Sequence, residues 1–185
     1  RLASSFVRDC LQTFMLDSST CQCCPGAASK KTQVVSVERV ENEYLWQMYQ
    51  LRRDSLQKRL AAHTIHKLSK STKWQPAIAS TEMSADVNEF YLFHGTSLDM
   101  AKVICEHGFD ERMADLKNGL YGAGSYFAMN ACKSHQYSAK NKSSSNFVML
   151  VCRVTMGSPY CTSGQHPHER RPPDNAATPG RPFDS

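Results

Sequence analysis

The spacing of apolar residues along the chain predicts two long helices. In residues 2–16, apolar side chains recur every four positions, which is typical of an amphipathic helix; they are Leu2, Phe6, Cys10 and Phe14. Residues 43–67 carry a second helical pattern, with basic residues on the outer side. Its inner side is apolar and includes Leu45, Met48, Tyr49, Leu56 and Leu60.

Two shorter helices follow from capping signals. Ser97 is a good N-cap for a helix over residues 98–107, and Gly108 stands where a left-handed C-terminal cap belongs. Asn130 is likewise placed to cap a helix over residues 130–139.

Three segments show strand patterns. Residues 33–40 alternate apolar and polar side chains, residues 90–93 form a short apolar run, and residues 147–155 are apolar on both faces except at Arg153. The last pattern indicates a central strand. Six prolines after residue 158 make long elements there unfavourable. This irregular mixture of helices and strands predicts the α+β class.

The composition of residues 17–31, rich in Ser, Gly and Lys, predicts a linker. We therefore divide the chain into an N-terminal helix and linker, residues 1–35, and one domain, residues 36–185. A total of 185 residues is sufficient for one sizeable domain with its own core.

Composition narrows the class of protein further. The chain is 41% apolar and 21% charged, and it has no run of about 18 apolar residues, so we expect a globular protein without a membrane span. Its eight cysteines are not spaced to staple loops, which indicates free thiols and an intracellular location, in the nucleus or the cytoplasm. The cluster at residues 21–24 has no further ligand nearby, so we expect no metal site.

A basic stretch accounts for part of the net charge of +5. The segment from Arg52 to Lys73 contains seven Lys or Arg residues and one acidic residue, Asp54. Such a run is typical of a solvated helix face, and it also leaves nucleic acid open as a partner.

The richest chemistry lies in residues 91–137. An apolar strand ends in His94-Gly95, a glycine-rich turn leads to Tyr126, and Ser134 and Tyr137 follow three residues apart. Together they offer backbone amides, a hydroxyl and aromatic rings, which suit a flat cationic ring that bears an amide. Taken singly, each has an ordinary alternative: a rim histidine, a core tyrosine, a surface serine.

The order of these motifs resembles the catalytic domain of the poly(ADP-ribose) polymerase-like ADP-ribosyltransferases, of the diphtheria-toxin type. The resemblance runs from about Val37 to the end of the chain. Its signatures, in order, are residues 42–49, 92–96, 108–110, 121–128, 133–137, 172–173 and 183–185. It implies two packed antiparallel or mixed sheets with flanking helices, and it places the last strands beyond Ser185.

The resemblance also implies an activity and a site. The activity is transfer of ADP-ribose from NAD, the co-substrate, to protein acceptors, with release of nicotinamide. Catalytic roles fall on His94 and Tyr126. The NAD-binding residues are His94, Gly95, Thr96, Arg112, Tyr126, Ser134 and Tyr137.

Within this implied site, the backbone of Gly95 and the hydroxyl of Ser134 hydrogen-bond the carboxamide of nicotinamide. Tyr137 stacks on the pyridinium ring and Tyr126 closes its other side, while His94 binds the adenosine ribose. Thr96 and Arg112 are expected near the donor loop.

The family's third motif residue is expected beyond Ser185, so the sequence leaves mono- and poly-ADP-ribosylation both open. Residues 138–146 contain no Cys or His, so the zinc insertion of tankyrases, which this chain resembles at residues 108–112 and 122–124, is absent. The donor loop, residues 113–120, is short. We favour mono-ADP-ribosylation on these grounds. The alternatives are a catalytically inactive NAD-pocket module and a nucleic-acid-binding module.

Overall fold

A computed structural model describes residues 34–68, 83–114, 119–138 and 146–185, except residues 168, 177 and 179. Its helices and strands are α1 (Glu43–Leu60), β1 (Glu89–Thr96), α2 (Leu98–His107), α3 (Ala131–His135) and β2 (Val148–Thr155). Short 3-10 turns lie at Ala85–Val87 and Glu111–Met113. This mixture is the predicted α+β class. No helix in the described part of the chain is long and apolar enough to cross a membrane.

The sheet is an antiparallel pair of β1 and β2. Its register runs from Glu89 opposite Thr155 to Thr96 opposite Val148. On its other edge, Phe93 exchanges two backbone hydrogen bonds with Ala128, at 2.8 and 2.9 Å. In the described residues, the strand with partners on both edges is thus β1, whereas the sequence pattern pointed to residues 147–155. Every residue of β2 is only partly buried.

Two small apolar clusters form the core of the described residues. One joins Leu56 and Leu60 of α1 to Val87, with Ile65 packed against them. The other joins Phe93 of β1 to Ala131 of α3, and its flanking residues are Tyr91, Met149 and Val151. The first cluster fixes α1, and the second fixes α3 against the sheet.

Several predicted helices and strands are shorter in the structure or are not formed. In the described residues, the sheet consists of β1 and β2 and does not include residues 34–40, so Val35 and Val40 stay exposed. The predicted helix over residues 130–139 is shorter, and in the described structure the Asn130 side chain makes no capping bond. The predicted helix at residues 2–16, the linker and the cysteine cluster at residues 21–24 lie outside the described residues.

The second predicted helix ends at Leu60 rather than near residue 67. The side chain of Asn88 holds the chain that follows, because it accepts a bond from Leu68 N (3.0 Å) and donates to His66 O (2.8 Å). These bonds satisfy backbone groups that a longer helix would otherwise use.

Asn42 caps two helices at once. Its Oδ1 accepts a hydrogen bond from Leu45 N at 3.1 Å, as an N-cap of α1 does. Its Nδ2 donates to Cys105 O (3.2 Å) and Glu106 O (2.9 Å), two carbonyls at the C-terminal end of α2. At the other end of α2, the predicted Ser97 cap is confirmed by its bond from Met100 N at 3.2 Å.

Glu89, the first residue of β1, is a fully buried carboxylate with several donors. Arg153 of β2 donates to it at 2.6 and 3.2 Å, the Tyr49 hydroxyl of α1 at 2.6 Å, and Ser84 N at 2.7 Å. The Arg153 guanidinium also lies 5.4 Å from the Trp46 ring centroid. One buried anion therefore ties α1 to both strands.

The pKa of Glu89 reflects two opposing influences. Burial raises it, but the hydrogen bonds from Arg153, from Ser84 N and from Tyr49 lower it and prevail, so the pKa lies below its usual value. Burial, and then the bond to Glu89, raises the pKa of Tyr49, so its hydroxyl keeps the proton that it donates.

Asn42→Asp should destabilise the protein even though aspartate is a good N-cap. The variant keeps the acceptor for α1 but loses the donors to α2, and it places a negative charge at the negative end of that helix. We expect a loss of about 1–3 kcal/mol from two bonds of roughly 0.5–1.5 kcal/mol each. Chemical unfolding measures it, with Ser97→Ala as the single-cap control; wild-type stability would show that the bridging bonds contribute nothing.

Glu89→Gln should cost about 3–5 kcal/mol, because it leaves the Arg153 charge buried without its partner. Glu41→Gln is the matched control, since Glu41 pairs with Arg39 on the surface and such a pair contributes at most about 1 kcal/mol. Equal losses in the two variants would contradict the assignment of Glu89 as a structural anion.

The contribution of Glu89 should also depend on pH. Since its folded pKa is lowered, its stabilising effect is complete above the unfolded-state pKa of about 4.3 and is lost as the pH falls through the folded value. The difference in unfolding free energy between wild type and Glu89→Gln should therefore shrink in acid. A difference that grows below pH 4 would contradict the sign.

Candidate active site

The backbone of Gly95 faces away from β2. Antiparallel neighbours alternate between hydrogen-bonded and non-hydrogen-bonded pairs. Asn88 O accepts a bond from Met156 N on the β2 side, whereas Phe93 bonds Ala128 on the opposite side. Even-numbered residues of β1 therefore bond β2, and odd-numbered residues face the Ala128 edge. The N–H and C=O of Gly95 point to that edge, two residues beyond Phe93.

α3 packs so closely on the end of β1 that residue 95 has no room for a side chain. A Cβ atom on Gly95 would collide with the carbonyl oxygen of Ser134 and lie 2.7 Å from its carbonyl carbon. The Ser134 side chain is buried, and its Oγ donates to Phe93 O at 2.8 Å. Ser138 adds a bond to β2, from its Oγ to Val148 O at 2.8 Å. The helix and the residues that follow it, as far as Ser138, are thereby fixed to both strands.

His94 is held by a backbone carbonyl and two rings. Its Nδ1 lies 2.8 Å from Tyr126 O, and because a carbonyl only accepts, Nδ1 carries the proton in this contact. In the neutral ring, Nε2 is then left as an acceptor. The imidazole centroid lies 5.0 Å from that of Phe109, nearly perpendicular, and 5.6 Å from that of Phe127.

Tyr126 is fixed by its hydroxyl. The hydroxyl donates to Gly122 O at 2.6 Å and accepts from Tyr121 N at 3.1 Å. Gly122 has φ +90°, and a Cβ there would collide with Glu169 O, which itself accepts a bond from Ala123 N at 2.7 Å. The turn that carries Tyr126 is thus anchored to a distant segment of the chain.

Tyr137 lies one turn beyond Ser134, and its N–H donates to Ser134 O at 3.0 Å. Its ring is 60% exposed, compared with 41% for the Tyr126 side chain, so both rings are accessible. Lys133 Nζ lies 5.5 Å from the Tyr137 centroid, within the range of a cation–π contact.

Arg112 is directed elsewhere. It is exposed, and its guanidinium bonds both carboxylate oxygens of Asp110 at 2.6–3.1 Å. Hydrogen bonds from the side chain and backbone N–H of Arg112 lower the pKa of Asp110 to about 2. Thr96 is the last residue of β1, next to Gly95 and opposite Val148.

Of the seven predicted NAD-binding residues, four contact one another in two pairs. Two more lie next to these pairs, and the seventh, Arg112, bonds Asp110 instead. His94 bonds Tyr126, and Gly95 packs on Ser134. Thr96 follows Gly95 in the chain, and Tyr137 bonds Ser134 O through its backbone N–H. The described bonds of Arg112 go to Asp110. Sequence reasoning missed Phe109 and Phe127 as partners of His94, because ring contacts between separate segments leave no local pattern. The one signal was that Phe109 follows the predicted cap Gly108.

The basic stretch is partly neutralised by acidic partners. Arg53 pairs with Asp54, Arg59 with Asp184, and Lys67 with Asp86. These pairs reduce the positive field that nucleic acid would require. Lys70 and Lys73 lie outside the described residues.

Comparison with known families matches residues 19–181 to the poly(ADP-ribose) polymerase catalytic domain. The match covers most of the chain, and the chain belongs to this family, as the order of its motifs predicts. The chain is 33% identical over 124 residues to protein mono-ADP-ribosyltransferase PARP12 of Mus musculus, across 67% of this chain and 14% of the mouse protein.

Two further relatives extend the comparison. Protein mono-ADP-ribosyltransferase PARP11 of Homo sapiens is 25% identical over 112 residues, which are 60% of this chain and 27% of that protein. A probable poly [ADP-ribose] polymerase of Dictyostelium discoideum is 32% identical over 132 residues, 70% of this chain and 33% of that protein. The chain thus spans a third or less of these curated relatives.

Gly95→Ala should destabilise the protein, because the added methyl group meets the backbone of α3, which cannot swing aside as a side chain can. Overpacking of this kind costs about 1–3 kcal/mol. Gly124→Ala is the matched control: no atom lies within 4 Å of its Cβ position, and we expect unchanged or slightly raised stability. Thermal unfolding of both variants tests the contact; equal effects would refute the close packing.

Proposed function

We propose that this chain forms the donor site of a protein ADP-ribosyltransferase that moves single ADP-ribose units from NAD to protein side chains and releases nicotinamide. Family membership supports this proposal, as do relatives that are named mono-ADP-ribosyltransferases. The observation that carries it is the backbone of Gly95, whose donor and acceptor face an edge that β2 does not occupy, beside Ser134 and His94.

The residues present fit the carboxamide of nicotinamide. An amide needs one acceptor and one donor in its plane, and the Gly95 N–H and C=O form such a pair on a residue that has no side chain of its own. Because the Ser134 hydroxyl already donates to Phe93 O, its contact with the ligand takes the form of a bond accepted by Oγ. The resemblance implies only a hydrogen bond between Ser134 and the carboxamide, and the bond to Phe93 O gives Ser134 the acceptor role in it.

The residues also fit a cationic ring. Tyr137 offers an accessible π face, and an aromatic–cation contact contributes about 1–2 kcal/mol where water is excluded. Lys133 covers part of one face, so the pyridinium would use the other. Tyr126, fixed through its hydroxyl, forms the second wall without needing to reorganise.

NAD contains a glycosidic bond between ribose and nicotinamide. Breaking that bond develops oxocarbenium character on the ribose, as in glycoside hydrolysis. Nε2 of His94 accepts a hydrogen bond from a hydroxyl of the adenosine ribose, since the Nδ1 proton is already donated to Tyr126 O. Gly95 and Ser134 hold the leaving ring, and Tyr126 and Tyr137 limit its rotation. These contacts orient the reacting bond, an effect of several kcal/mol in favourable cases.

Four further features belong to this proposal. The remaining strands of two packed sheets, and the third motif residue, would come from the longer protein. Residues 1–35 would be a helix and linker preceding a catalytic domain over residues 36–185. The acceptors would be proteins, in the nucleus or the cytoplasm; the four described cysteines, all free thiols, support a reducing compartment. Arg112 would bind NAD only after leaving Asp110.

Incubating the full-length protein with adenine-labelled NAD tests the proposal. We expect nicotinamide release and one ADP-ribose unit at each modified side chain by mass spectrometry. Tyr137→Ala should weaken NAD binding about 5- to 30-fold, the equivalent of about 1–2 kcal/mol. Tyr44→Ala, an exposed tyrosine on α1, is the control and should change nothing.

Each alternative gives its own result. NAD binding without nicotinamide release would favour the inactive module, and polymer on the acceptor would reject single-unit transfer. Wild-type affinity in Tyr137→Ala would show that the ring assignment is wrong.

A further inference from the structure

Three aromatic rings meet at the end of β1. His94 and Phe109 have centroids 5.0 Å apart at 84°, Phe109 and Phe127 are 5.0 Å apart at 65°, and His94 and Phe127 are 5.6 Å apart at 52°. Such tilted and perpendicular pairs are the favourable geometries for aromatic rings. His94 is the polar member of this cluster, and it is the residue whose ring must be oriented.

Hydrogen bonding alone does not set the orientation of His94. Its bond to Tyr126 O and the covalent link to the main chain fix two points of the side chain, and the remaining tilt of the ring depends on what packs against it. A second contact is needed to define where Nε2 points. Phe109 provides a ring nearly perpendicular to the imidazole, whereas Phe127 lies at an intermediate angle.

The position of Phe109 is itself determined by the fold. α2 ends with a bond from Gly108 N to Ile104 O at 2.8 Å, and Gly108 then takes φ +86°, which turns the chain back toward β1. A Cβ at Gly108 would lie 3.1 Å from Leu45 Cδ2, so α1 closes the outer side of this turn.

Phe109 is 40% exposed, although a phenyl ring gains most when it is fully buried. Its placement therefore is not accounted for by core packing alone. The ring stands partly at the surface, in edge contact with the imidazole of His94.

We propose that Phe109 is a positioning residue, which holds the His94 imidazole so that Nε2 faces the ribose of the bound dinucleotide. The effect of this residue on the kinetic constants rests on the proposed function. Its structural content, the fixed orientation and tautomer of His94, is independent of turnover.

The test compares Phe109→Leu, which keeps an apolar side chain, with Phe109→Tyr, which keeps the ring, in the full-length protein. We expect Phe109→Leu to raise KM for NAD about 5- to 10-fold with less than a twofold change in kcat. Phe109→Tyr should bring KM back to within about twofold of the wild type. Val103→Ala, an exposed apolar residue on α2, is the control and should leave both constants unchanged.

Two readouts separate positioning from a structural role. In a His94→Ala background, Phe109→Leu should raise KM no further, because the residue that it orients is gone. Nitrogen NMR of the His94 ring should show Nδ1–H as the single neutral tautomer in the wild type and a mixture in Phe109→Leu. Phe109→Met provides a second variant if the leucine variant unfolds.

Wild-type KM and unchanged His94 signals in both ring-deleted variants would overturn the inference, as would a full additional rise in KM in the His94→Ala background. If the wild-type protein does not consume NAD, the proposed function fails on that result. The nitrogen spectra then still decide whether Phe109 orients His94.

Discussion

The buried carboxylate of Glu89 is the constraint on which the candidate site depends. Its bonds to Arg153 join β1 to β2 at a defined offset, and in the low-dielectric interior an alternative register would leave one of these charges without its partner. Register matters here because a slip of one residue reverses which backbone groups face which edge. With the observed register, the amide and carbonyl of Gly95 face away from β2; with a one-residue slip, they would be consumed in the sheet. A charge pair six residues from Gly95 thus keeps that backbone available.

The second requirement is the close approach of α3. A short helix of Ala131–His135 has few backbone bonds of its own and is stabilised mainly by what it touches. Here the contacts are a glycine that admits the helix backbone, a serine bonded to β1 and a further serine bonded to β2. Polar side chains and a missing side chain thus act together with the apolar contact of Phe93 and Ala131 in this interface. The same atoms that seat the helix therefore shape the surface around Gly95, so stability and the proposed binding role make the same demands on these positions.

Local signals in the sequence predicted much of the fold. The α2 helix, its Ser97 cap, the positive φ of Gly108 and the position of both strands follow from spacing and capping chemistry within a few residues. The predictions that were wrong involve competition from distant residues: α1 stops early because Asn88, far along the chain, takes over the following backbone. For the site, motif order grouped His94, Gly95, Tyr126 and Ser134, and the structure joins them in two contacts, His94 with Tyr126 and Gly95 with Ser134. Their roles in binding stay a prediction. Motif order did not show that Asp110 engages Arg112, a local contact across a 3-10 turn. Nor did it show that two phenyl rings surround His94, because these ring contacts join separate segments of the chain.

The end of α2 connects the first helix to the site. Asn42 bonds the last carbonyls of α2, and Leu45, three residues later, borders the turn at Gly108. The turn directs Phe109 onto His94, so a side chain at the beginning of α1 helps to define the orientation of an imidazole that it does not touch. The coupling is a chain of short-range contacts, each with one favourable geometry, and it needs no movement to operate. In the proposed role the requirement is rigidity. An acceptor nitrogen that already points toward a ribose hydroxyl avoids the cost of being oriented on binding, which would take part of the affinity that the bond contributes.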